Sequence, residues 1–136
     1  MTNIAEHTFP SDPDRSTALL TDKYELTMLQ AALKDGSAHR QVTCEVFARR
    51  LPNERRYGVV AGTERVLRAV RDFQFTAQQL AQMDFLDEQT KEYLRNYRFS
   101  GHIDGYREGE IYFPNTPLLT VRGTFGECLI LSLIHI

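Results

Sequence analysis

The chain has 136 residues, of which 42% are hydrophobic and 25% charged, as expected for one ordinary globular domain or part of a larger one. Its formal net charge of −2 argues against a general binder of nucleic acid or anionic membranes, since both classes normally carry a clear positive excess. The two cysteines, Cys44 and Cys128, match no metal-binding spacing, so we expect reduced core residues of a cytoplasmic protein.

The first residues are polar, contain Pro10 and Pro13, and lack the apolar run of a signal peptide. We expect residues 1–17 to form a mobile arm that precedes a domain over residues 18–131. The longest apolar run, LILSLIHI at the other end, is too short to cross a bilayer.

The segment LLTDKYELTMLQAALKDG predicts the first helix. Asp22 stands at the N-cap, with Glu25 three residues later where a capping box needs an acid. Gly36 is placed to end the helix. Apolar residues recur at helical spacing and predict one broad buried face: Leu26, Met28, Leu29, Ala32 and Leu33.

Two residues at the start of this helix have a structural and a functional interpretation. Capping alone accounts for Asp22. Tyr24 lies in the first turn, where its ring can pack into the core or project past the helix end and stack on a flat heterocycle. The residues themselves leave both interpretations of Tyr24 open.

The next segment, QVTCEVFAR over residues 41–49, alternates in the period-two pattern of a strand with two distinct faces. A basic loop follows, and its Pro52 predicts a turn. The pairs Arg49–Arg50 and Arg55–Arg56 either form a solvated basic loop or bind an anion, because guanidinium groups grip phosphate in a bidentate manner.

The middle of the chain predicts three further helices. The first starts near Thr63, the second follows a capping box of Thr76 and Gln79, and the third is capped by Asp87. From Gly101 onward, glycines and prolines punctuate short strands. The fold class is therefore α+β, with strands early and late around a helical middle.

Residues 18–131 resemble successive blocks of the bacterial nicotinate phosphoribosyltransferase family. The matching blocks are LLTDKYELTMLQAAL, CEVFARRLPNERRYGVVAGTERVL and FLDEQTKEYLRNYRFSGHIDGYREGEIYFPNTPLLTVRGTFGEC. One block would be weak support, but three in the same order are specific. The resemblance implies the N-terminal domain of that fold, followed in family members by an α/β barrel.

The resemblance also implies an activity in NAD salvage. The family joins nicotinate to phosphoribosyl pyrophosphate, giving nicotinate mononucleotide and pyrophosphate, with coupled hydrolysis of ATP and with Mg²⁺. Its members are homodimers with active sites shared between subunits. A second hypothesis is a related enzyme that takes nicotinamide or quinolinate, and a third is a non-catalytic ligand-binding or dimerising module.

Site residues follow from the family's motifs. The aromatic residue of T-D-x-Y comes from one subunit and stacks on the pyridine ring held by the other, which implies this role for Tyr24 with Asp22 beside it. The arginine that ends an F-x-x-R pattern contacts phosphate, which favours Arg50 over Arg49, since the pattern here begins at Phe47.

The same comparison implies that the phosphorylated histidine and most of the barrel belong to a region beyond this chain. No catalytic residue and no metal ligand is therefore expected here, and the chain alone is expected to be inactive. Family members continue differently after Leu131, so we expect residues 132–136 to be a non-native tail on a truncated sequence, with exposed apolar surface and poor solubility.

Overall fold

The structure is a computed structural model that describes residues 2–3 and 16–131. The helices are α1 (Lys23–Asp35), α2 (Thr63–Asp72), α3 (Ala77–Ala81), α4 (Glu88–Asn96) and α5 (Phe125–Leu131). The strands are β1 (Thr2–Asn3), β2 (Gln41–Phe47), β3 (Gly58–Val59), β4 (His102–Gly105), β5 (Ile111–Tyr112) and β6 (Pro117–Thr124). Short 3₁₀ turns lie at Ala18–Leu20 and Ser37–His39. The α+β prediction is confirmed.

The two predicted terminal segments lie mostly outside the described residues. Of the arm predicted at residues 1–17, only β1 and residues 16–17 are described, and β1 pairs with β4. The Ser16 hydroxyl donates to the Gln74 carbonyl at 2.7 Å and accepts from the Gln74 amide at 3.0 Å, which fixes the chain before α1. The predicted tail at residues 132–136 is outside the described part altogether.

The larger sheet has four antiparallel strands in the order β1–β4–β6–β2. The strands β3 and β5 form a separate two-stranded sheet. Ile103 and Val121 are cross-strand partners on one face of the larger sheet, and both are buried in the core. The helices supply the other core residues, including the fully enclosed Leu29 and Leu94. One hydrophobic core therefore joins this face to the helical layer.

The helix signals read from the sequence are largely confirmed. Gly36 ends α1 in the left-handed conformation, at a φ of 80°. Thr76 and Gln79 form both bonds of the capping box before α3. The Asp87 carboxylate accepts the Thr90 amide at 2.9 Å at the start of α4. These caps can be predicted from the sequence because the residues that form them are only a few positions apart.

Three packing predictions are wrong. Met28, assigned to the buried face of α1, is 44% exposed. β2 ends at Phe47 rather than at residue 49, and its residues are exposed except for a half-buried Val42. Among the described strands, β2 lies at the edge of the larger sheet. Cys44, expected in the core, is accordingly exposed, whereas Cys128 is buried. Both cysteines are free thiols, as expected.

The last helix was not predicted. Residues 129–131 of the apolar run LILSLIHI belong to α5, and Leu129 and Ile130 are buried. The buried Glu127 organises the start of α5: its carboxylate accepts the amides and hydroxyls of both Thr124 and Ser100, each at 2.8 Å. The sequence T-F-G-E at 124–127 is a capping box that could have revealed this helix. No described helix is long and apolar enough to cross a membrane.

Candidate functional site

The first part of the candidate site is the start of α1. Asp22 occupies the N-cap position, but its side chain makes no capping hydrogen bond, so the predicted capping box is wrong. Tyr24 is 57% exposed, which rejects the interpretation of a core aromatic. The structure therefore presents an exposed ring in the first helical turn, with an exposed carboxylate two residues before it.

Glu25 turns inward instead of capping the helix. Its side chain is 7% exposed, and the Glu25 carboxylate, as a hydrogen-bond acceptor and a negative charge, raises the pKa of the neighbouring Tyr24. The phenol is therefore neutral at physiological pH, since its pKa lies near 10 even when unperturbed. A neutral ring can stack on a heterocycle without placing a negative charge beside it.

Buried oxygen atoms without hydrogen-bond partners are concentrated just before and within the first turn of α1. Among the described residues, Thr17 Oγ1, Thr21 Oγ1 and Glu25 Oε2 are buried and have no partner. Buried polar groups in folded proteins nearly always find a partner.

The second part of the site begins where β2 ends. The β2–β6 register shifts between Val46 and Phe47, and such a bulge redirects the chain that follows. The Ala48 carbonyl accepts the Asn115 amide at 2.8 Å, which anchors the backbone just before Arg49. Arg49 and Arg50 thus emerge from a fixed strand end and are exposed.

The predicted turn in the basic loop is confirmed. The Arg55 amide donates to the Pro52 carbonyl at 3.2 Å, and the two residues between them have positive φ angles. The chain therefore reverses between the pairs Arg49–Arg50 and Arg55–Arg56. Within the described residues, no hydrogen bond or ion pair of the four guanidinium groups is found. Their charges remain available to an anion.

The two parts stand on separate elements. Asp22 and Tyr24 share the start of α1, whereas Arg49 and Arg50 follow β2. None of the four lines the cavity of about 380 Å³ that lies between α4 and the start of α5. The described residues thus carry an exposed aromatic ring at the start of α1 and exposed guanidinium groups after β2, and none of these groups lines that cavity.

The described residues offer no cluster of metal ligands. Within residues 16–131, no three His, Cys, Asp or Glu side chains are grouped so that they could hold a metal ion. The described residues therefore do not fit a Mg²⁺ site of their own, and we derive no step through Mg²⁺ or ATP from them.

The structure also has an exposed apolar surface that was not predicted from the sequence. Val59 and Ile111 are direct partners across the β3–β5 sheet. Tyr57 is two residues before Val59 and Phe113 is two residues after Ile111, so both side chains point to the same face as that pair. All four are between 55% and 58% exposed. Their alternation was visible in the sequence, but only the pairing of β3 with β5 brings them together.

The sequence matches a known family over most of its length. The sequence model described as nicotinate phosphoribosyltransferase (NAPRTase) N-terminal domain matches residues 19–134. A nicotinate phosphoribosyltransferase, pncB1, of Mycobacterium tuberculosis is 61% identical over 126 residues, which is 89% of this chain and 28% of that protein. The chain therefore spans little more than a quarter of this curated relative.

Solved structures share the fold. The crystal structure of human nicotinic acid phosphoribosyltransferase matches with a TM-score of 0.73 and 29% identity, covering 82% of this chain and 24% of the human chain. The nicotinate-nucleotide pyrophosphorylase from Pyrococcus furiosus matches with a TM-score of 0.61 over 93% of this chain and 25% of that one; at 19% identity it shows the fold alone. With the family match over residues 19–134, these findings show that the chain belongs to the nicotinate phosphoribosyltransferase family.

Proposed function

We propose that this chain serves as the N-terminal domain of a nicotinate phosphoribosyltransferase, with residues 18–131 forming that domain. The complete enzyme would join nicotinate to phosphoribosyl pyrophosphate, releasing pyrophosphate and nicotinate mononucleotide in NAD salvage. ATP and Mg²⁺ belong to the proposal for the complete enzyme. The 61% identity to the relative from Mycobacterium tuberculosis carries the proposal.

The chemistry of this reaction suits the exposed groups of the chain. Displacement of pyrophosphate from the anomeric carbon leaves negative charge on the leaving group, which fixed guanidinium groups stabilise. Arg50, whose guanidinium has no hydrogen-bond or ion-pair partner among the described residues, is proposed to contact ligand phosphate, with Arg49 beside it. Nicotinate is flat and aromatic, and Tyr24 is proposed to stack on its ring, with Asp22 beside it.

The proposal gives this chain a binding role and not the chemical step. The family's phosphorylated histidine has no counterpart among its residues by resemblance, so the isolated chain is expected to be inactive. Tyr24 and Arg50 lie on separate elements and neither lines the described cavity, and a homodimer with shared active sites, as the resemblance implies, is part of the proposal. The free thiols of both cysteines agree with a cytoplasmic location, which is also part of the proposal.

The test is a fusion enzyme in which residues 18–131 replace the corresponding segment of the Mycobacterium tuberculosis relative. The fusion is expected to release pyrophosphate from phosphoribosyl pyrophosphate only when nicotinate is present. Nicotinamide and quinolinate serve as the competing substrates. Pyrophosphate release that depends on one of those two instead would assign the chain to the sister activity, and a folded, inactive fusion would contradict the proposal.

Two variants of the fusion separate the stacking role from a structural one. Tyr24→Ala should raise the KM for nicotinate about tenfold, since aromatic stacking contributes roughly 1.5 kcal/mol at most beyond burial. Tyr24→Phe is the matched control and should retain the wild-type KM, because stacking uses the ring and not the hydroxyl. Equal KM values for all three proteins would reject the stacking role.

A further inference from the structure

The two cysteines of the chain lie against each other in the fold. Cys44 on β2 is the direct partner of Val121 on β6, and partners across an antiparallel ladder point to the same face. Val121 is part of the core on that face, and α5 continues directly from β6 and packs against both strands. This packing brings Cys128 of α5 to the face that carries Cys44, close enough that the Cys44 thiol acts on the ionisation of Cys128.

The two thiols have different access to solvent. Cys44 is exposed, whereas Cys128 is 5% exposed. Burial, and next the adjoining Cys44 thiol, raise the pKa of Cys128 well above its usual range. Since the thiolate is the nucleophile in disulfide exchange, Cys44 is the thiol that a dissolved oxidant reaches first and Cys128 is the slower one.

We propose that Cys44 and Cys128 form a thiol–disulfide exchange site for low-molecular-weight disulfides of the glutathione type. The Cys44 thiolate attacks one sulfur of the oxidant and forms a mixed disulfide, and one thiol of the oxidant leaves. Cys128 then loses its proton and attacks the Cys44 sulfur, which releases the second thiol. Two protein thiols are oxidised to one disulfide, and one small disulfide is reduced to two thiols.

Closure of this bond changes how the sheet is held. Among the described strands, β2 lies at the edge of the sheet and pairs with β6, and the disulfide would tie it covalently to α5 as well. α5 in turn packs against α1, the helix that carries Tyr24. Oxidation therefore fastens together the elements that carry the two parts of the candidate site, and reduction releases them.

The experiment equilibrates the full 136-residue chain with mixtures of reduced and oxidised glutathione and follows both thiols by mass spectrometry. The wild-type chain should lose two hydrogens and gain no glutathione at equilibrium. Cys128→Ser should instead retain one glutathione on Cys44, because no second thiol displaces it. Cys44→Ser is the matched control and should stay unmodified over the same period, because Cys128 is buried.

A comparison with the unfolded chain shows whether the fold creates the pair. The effective concentration of Cys128 toward Cys44 should be at least about tenfold higher in native buffer than in concentrated guanidinium chloride, since exchange depends on how the thiols are held. Equal values in both solvents would overturn the proposal. So would a wild-type chain that keeps glutathione on Cys44 without closing the internal disulfide.

Discussion

Replacing Glu127 by glutamine tests a buried side chain that accepts four hydrogen bonds. One carboxylate oxygen accepts the Ser100 amide and hydroxyl, and the other accepts the Thr124 amide and hydroxyl, all at 2.8 Å. The glutamine side chain keeps one oxygen acceptor, but its NH₂ group replaces the other oxygen and faces one backbone amide and one hydroxyl. The hydroxyl can rotate and accept a hydrogen bond from the NH₂ group, but the backbone amide is left without an acceptor.

The magnitude follows from the bonds that are lost. Glu127 is only 6% exposed, so water does not replace its partners. Loss of one charge-assisted bond and the burial of one unpaired amide together cost about 3 kcal/mol. Unfolding in urea, followed by circular dichroism, measures this cost as a lower midpoint at unchanged slope. Glu54→Gln is the matched control at an exposed turn and should stay within about 0.5 kcal/mol of wild type.

The destabilisation should also depend on pH. Burial acts to raise the pKa of Glu127, but the hydrogen bonds from Thr124 and Ser100 outweigh burial and lower it. A carboxylate with a lowered folded pKa stabilises the fold above its unfolded pKa, near 4.3, and loses this contribution as the pH falls through the folded value. The difference between wild type and Glu127→Gln should therefore shrink below about pH 4. A pH-independent difference, or none at pH 7, would refute the reasoning.

Three further predictions concern local structure and the proposed anion contact. Thr76→Ala removes the cap that accepts the Gln79 amide and should cost about 1 kcal/mol in urea unfolding; no measurable change would contradict the cap's role. Gly58→Ala would drive its Cβ into the Tyr112 ring and should cost roughly 1–3 kcal/mol, with a wild-type melting temperature as the contrary result. In the fusion enzyme, Arg50→Lys should raise the KM for phosphoribosyl pyrophosphate more than Arg49→Lys does, and the reverse order would mean that the motif is shifted by one residue.

Local signals in the sequence predicted most of the fold. The caps at Thr76 and Asp87 and the glycine that ends α1 depend on neighbours within a few residues, so their geometry is encoded locally. The start of α5 is also encoded locally, by Thr124 and Glu127. Its apolar continuation resembles a strand as much as a helix, because a short apolar run carries no clear period.

Packing between residues that are distant in the chain could not be predicted from such local signals. The alternation in β2 predicted a strand correctly, but six of its seven residues are exposed, so the two distinct faces are not observed. Only the strand order places β2 at the edge of the described sheet. Glu25 fitted a capping box, yet it is drawn into the interior, where packing overrides the local preference. The exposure of Tyr24 likewise depends on what packs around the start of α1, so the sequence left open whether the ring is buried, and the structure shows that it is exposed.

The most direct test of the proposed function is the nicotinate dependence of pyrophosphate release by the fusion enzyme that carries residues 18–131. The measurement compares initial rates with phosphoribosyl pyrophosphate in the presence and absence of nicotinate, with the isolated 136-residue chain as the inactive control. Pyrophosphate release that requires nicotinate, and that Tyr24→Ala weakens while Tyr24→Phe does not, is the predicted result. A correctly folded fusion that releases no pyrophosphate with nicotinate would contradict the account.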